Sequence, residues 1–80
     1  MSERVQKMGH LADAQLRQSD LRLRIKGLMK AMRENLDEFK DLADLPAAII
    51  AQQGMELAKL HLDYIEVSEK IRAIEKALGK

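Results

Sequence analysis

With no cysteine anywhere in its 80 residues, the chain has no disulfide framework, no thiolate to hold a metal and no cysteine nucleophile. Tryptophan is also absent, and the aromatics stop at Phe39 and Tyr64, so burial must come from Leu, Ile, Met and Ala. Proline occurs once, at Pro46, leaving long stretches on both sides free of the residue that breaks helices most strongly. Nowhere are there the roughly eighteen consecutive apolar residues that a membrane span needs. Glu3, Arg4, Gln6 and Lys7 interrupt the first nine residues, so no signal peptide is expected there. The net charge of +1 exerts no global pull toward nucleic acid or anionic lipid. These absences lead to the expectation of a cytoplasmic protein with no membrane association.

What is present is helical periodicity. Leu57, Leu60, Tyr64, Val67, Ile71, Ile74 and Leu78 recur in steps of three and four, a mean spacing of about 3.5 residues that marks a helix with a coiled-coil-like seam. Before Pro46 a second series runs through Leu11, Ala14, Gln18, Leu21, Ile25, Leu28, Met32, Asn35, Phe39 and Leu42. The expected architecture is therefore all-α: a single helical hairpin domain over residues 1–80, with helices over about 2–43 and 46–78 and a loop at about 44–46. Ser2 suits an N-cap and Gly79 a C-terminal cap. Gln18, Ser19 and Asp20 form the weakest place in the first helix, which is nonetheless expected to run through them. Gly54 marks either a close helix approach or a kink.

So short a loop forces the helices antiparallel. Centring the hairpin on Pro46 pairs Asn35 with Leu57, Phe39 with Gln53, Met32 with Leu60, Leu28 with Tyr64 and Leu21 with Ile71. Asn35 and Gln53 then sit on the seam one layer apart, where a buried amide fixes register and oligomeric state at some cost in stability.

Each helix carries more apolar surface than one neighbour covers. Met55, Ala58, Leu62 and Ile65 form a further stripe on the second helix, and Val5, Met8, Ala12, Leu16 and Leu23 lie off the seam of the first. A single thin seam seldom stabilises a chain this short, so self-association into a homodimeric four-helix bundle is expected. The partner interface is expected at Met55, Ala58, Leu62, Ile65, Leu16 and Leu23. Met29, Met32, Phe39 and Met55 fall toward the loop end, and the expectation is that they fill irregular core space there; capture of a partner protein is the alternative.

Charge is segregated along the first helix. Between Arg17 and Arg33 six cations face the single acid Asp20, a balance of +5, whereas between Glu34 and Asp44 five acids face Lys40, a balance of −4. Arg22, Lys26, Lys30 and Arg33 share a face that could meet phosphates. No interleaved aromatics accompany them, and the expected arrangement is a solvated face, or one paired with Asp63, Glu66 and Glu69 of the hairpin or of a neighbouring subunit. His10 and His61 are far apart, and His10 with Asp13 offers too few ligands for a metal. No catalytic residue, cofactor or metal is expected. The sequence thus points to a small non-enzymatic module that binds itself and another protein through apolar helix faces, as an adaptor, small chaperone or inhibitor. A nucleic-acid-binding bundle is the alternative.

Overall fold

The computed structural model describes residues 2–79, which form two long helices packed against each other. The first, α1, spans Glu3–Asn35, and the second, α2, spans Ala47–Ala77. The molecule is a rod of 61 × 18 × 15 Å.

Local chemistry explains most helix ends. The Ser2 hydroxyl accepts from the Val5 N–H at 3.3 Å, satisfying one of the free donors at the start of α1. Glu3 in the first turn and Arg33 in the last complement the helix dipole. α2 begins just after Pro46, and Leu45 before it is extended, as the proline ring requires. Gly79 takes a positive φ of 76° and closes α2 by donating its N–H to the Lys76 carbonyl.

α1 runs unbroken through Ser19. Asp20 accepts from Arg24 at 3.1 Å and lies 3.8 Å from Arg17, so its carboxylate is held by its own helix and does not cap a new one. The end of α1 is a correction to the sequence reading, which carries it to about residue 43. It stops at Asn35 because the residues that follow compete for backbone groups. Asp37 Oδ1 accepts from the Phe39 N–H at 3.0 Å, and Asp41 Oδ1 from the Ala43 N–H at 3.1 Å. Asp37, Glu38 and Asp41 would also place negative charge at the negative end of a longer helix. The connection therefore occupies residues 36–46, with one 3-10 turn at Leu42–Asp44, and not the three residues expected.

Freed from a tight turn at Pro46, the helices take a different register. Gln18 donates to Ser68 at 3.0 Å, Arg22 to Tyr64 at 3.3 Å and Asn35 to Gln53 at 3.0 Å. Asn35 thus meets Gln53 and not Leu57, a slip of about one helical turn from the pairing centred on Pro46. The two seam amides satisfy each other directly. Gly54 marks no close approach, because a Cβ there would meet nothing within 4 Å, and α2 continues through it.

The core sits toward the open end of the hairpin. Leu11, Ala14, Ile71 and Leu78 are buried together, with Val67 and Ile74 packed against them, and Leu21 is 1% exposed. Toward the loop the seam residues Ile25, Leu28, Met32, Ile50, Leu57 and Leu60 are only half-buried. Phe39 and Leu42, placed on the seam by the sequence reading, are 88% and 84% exposed because α1 ends before them.

Candidate functional site

The feature that sets this chain apart from a closed globule is apolar surface turned to solvent. Its accessible area is 6393 Å². A compact monomer of 9.1 kDa exposes about 4,900 Å², so the rod carries about 1,500 Å² in excess.

That surface is patterned. On α2, Met55, Ala58, Leu62 and Ile65 are exposed, Met55 at 76% and Leu62 at 57%. Their spacing repeats the seam's alternation of three and four, and at 100° per residue the stripe lies roughly 130° to 180° from the seam. On α1, Val5, Met8, Ala12, Leu16 and Leu23 are likewise exposed. Leu16 and Leu23, seven residues apart, lie about half a turn from the Ala14, Gln18, Leu21 and Ile25 seam. All six residues expected at an interface are therefore uncovered in the single chain.

At the loop end, Met29, Phe39 and Met55 are exposed, and only Met32 is half-buried in the seam. The expectation that this group fills the core holds for Met32 alone, since the early end of α1 carries Phe39 away from it.

The basic stripe is solvated. Arg22, Lys26, Lys30 and Arg33 are all exposed. Among the described residues none of the four lies within ion-pair distance of an acid; the cross-helix pair that forms is instead Arg17 with Asp63, at 3.9 Å. Arg22 donates to the Tyr64 hydroxyl, and this bond, with the field of the guanidinium and of Lys26, holds the phenol pKa below its ordinary value near 10. Lys30 and Arg33 line a shallow depression with Glu34 and Asp37, where the basic segment meets the acidic one.

A wider groove of about 860 Å³ runs along the open half of the hairpin, lined by Gln15, Gln18, His61, Tyr64, Ser68 and Glu75 among others. Within it Gln18 donates to Ser68. Among the described residues no three His, Cys, Asp or Glu side chains converge to hold a metal, and no helix is long and apolar enough to cross a membrane.

No known protein family, curated protein or solved structure matches the chain. The class defined by the fold is an all-helical two-helix hairpin, with uncovered apolar stripes on both helices.

Proposed function

We propose that this protein is a non-enzymatic protein–protein interaction module, an adaptor, small chaperone or inhibitor, that self-associates as a homodimer of hairpins, four helices in all, through one apolar helix face and leaves the stripe on the opposite side for another protein. One observation carries the reading. Among the described residues thirteen large hydrophobic side chains are exposed against five buried core residues, and Val5, Met8, Leu16 and Leu23 on α1 and Met55, Leu62 and Ile65 on α2 follow helical spacing. Scattered surface hydrophobics are ordinary, but stripes in register with a helix are the pattern by which helices dock.

Sedimentation at micromolar concentration tests the reading. The wild-type chain is expected to run as a dimer, and Leu62→Glu or Ile65→Glu to dissociate or unfold it, because each sets a charge in a helix contact. A wild-type monomer contradicts self-association. If Leu62→Glu leaves mass and helicity unchanged, the α2 stripe is not the interface.

A second reading is favoured by the exposure of Arg22, Lys26, Lys30 and Arg33 without acidic partners: a bundle that binds nucleic acid through phosphates. It predicts affinity that falls steeply with salt and is weakened equally for unrelated sequences by Lys26→Ala with Lys30→Ala. The interaction-module reading expects no binding at physiological salt. Submicromolar binding lost in that double variant reverses the ranking.

A further inference from the structure

Granted the self-association proposed above, the distribution of size and charge along α2 specifies how two copies meet. We infer that the hairpins pair antiparallel through the Met55, Ala58, Leu62 and Ile65 stripe, the loop end of one copy lying beside the open end of the other.

The stripe is self-complementary only in that sense. Its centre is at residue 60, close to the middle of α2. An antiparallel pairing about that point sets Met55 beside Ile65 of the second copy and Ala58 beside Leu62, so each large side chain meets a different one and the small alanine makes room for leucine. Nearly the full length of both helices overlaps. A parallel pairing sets Ala58 against Ala58 and leaves a void between them.

Charge selects the same arrangement. Lys59 and Glu66 are exposed on one flank of the stripe, each one residue past an alanine or isoleucine of the stripe. Neither is held in an ion pair among the described residues. In the antiparallel pair, Lys59 lies five residues, about 7.5 Å along the axis, from the level of Glu66 of the second copy, and the dyad repeats the contact; the two Lys59 side chains lie nearer the dyad, and reversing their charge leaves that repulsion unchanged. At the ends, the acidic segment Glu34–Asp44, with its balance of −4, comes beside the end of α2 that bears Lys70, Arg72 and Lys76 against Glu75. A parallel dimer would instead set two acidic loops side by side.

The absence of cysteine makes the geometry directly measurable, since Lys40→Cys adds one thiol at the exposed loop for a nitroxide label. With the full chain so labelled, electron-spin distance measurement is expected to give about 40 to 50 Å between protomers, twice the distance from the dyad at residue 60 to the loop. A separation under about 25 Å, the outcome of parallel packing, overturns the antiparallel arrangement while leaving the dimer standing. Loss of all coupling, with sedimentation showing a monomer, overturns the dimer itself and this inference with it. Charge exchange supplies the second arm. Lys59→Glu turns two attractive contacts into repulsive ones and is expected to weaken the dimer about tenfold, and adding Glu66→Lys to restore it. Both positions are exposed, so helicity is expected to persist. An unchanged dimer constant in Lys59→Glu, or no rescue by the exchange, overturns the pairing of these flanks.

Discussion

Asn35 Nδ2 donates to Gln53 Oε1 at 3.0 Å across the seam, so the last residue of α1 is tied by its side chain to the second turn of α2. Both amides are half-buried, and each supplies the partner that the other would lack in an aliphatic seam. The pair sits in the loop half, where the seam is only half-buried, and joins Gln18 with Ser68 and Arg22 with Tyr64 in bridging the two helices. Removing one member and removing both should therefore have different consequences.

Asn35→Ala is expected to cost about 1 kcal/mol, because it leaves the Gln53 amide short of a partner. Asn35→Leu combined with Gln53→Leu is expected to recover that loss or exceed it, since two leucines pack on an aliphatic seam without desolvating polar groups. The gain in stability comes with a loss of specificity, visible as broadened or mixed oligomeric states. Urea unfolding of the three variants, followed by sedimentation, measures both. Equal destabilisation by the single and double changes would show that the amides do not act as a pair.

Leu21 and Met55 offer a contrast between core and stripe. Leu21 is buried between the helices, and Leu21→Ala is expected to cost about 2 to 5 kcal/mol through lost burial and the cavity left behind. Met55 is exposed, so Met55→Ala should change the unfolding free energy of the isolated chain by less than about 0.5 kcal/mol. Its effect should appear instead as weaker association, read from the concentration dependence of the melting temperature. A large loss at Met55 in a chain kept monomeric would place that side chain in the core.

The two helices and their facing sides were legible in the sequence because burial on a helix leaves a periodic trace. Every seam residue from Leu11 to Asn35 and from Ile50 to Leu78 is buried or half-buried. The register was not legible. A turn placed at Pro46 sets it about one helical turn away from the observed pairing, and the periodicity that carries Phe39 and Leu42 onto the α1 seam holds no sign of the earlier break. The signal was the acid-rich run itself, since Asp37 and Asp41 each precede by two residues a backbone N–H that they accept from. The stripe on α2 was visible for the same reason as the seam, whereas which surface covers it is a property of two molecules and leaves no trace in one.

If those aspartates end α1, removing them should lengthen it. Asp37→Ala with Asp41→Ala replaces two side chains that compete for the backbone by the strongest helix former, and removes two negative charges from the helix C-terminus. The expected outcome is helical backbone chemical shifts over residues 36–43, which are non-helical or a single 3-10 turn in the native chain. The longer helix would shorten the connection before Pro46 and strain the Asn35–Gln53 pair, so unfolding stability should rise less than helicity does. If the segment stays non-helical in the double variant, the break is imposed by the closing of the hairpin and not by the aspartates.

Tyr64 is the only tyrosine and no tryptophan overlaps it, so phenolate absorbance reports one group. The Arg22 guanidinium donates to its oxygen and favours the ionised form, lowering the folded-state pKa below that of an unfolded chain, near 10. A depressed folded pKa means that ionisation contributes stability above the unfolded value. That contribution is lost as pH falls through the folded midpoint, leaving none of it at neutral pH. Arg22→Ala should therefore raise the phenol midpoint toward its ordinary value, and the native chain should gain stability over this variant only on the alkaline side. Lys26→Ala is expected to move the midpoint in the same direction by less, because its charge acts only through space. An identical midpoint in native chain and Arg22→Ala would mean that the exposed bond across the helices does not persist in solution. The register would then rest on Gln18 with Ser68 and Asn35 with Gln53 alone.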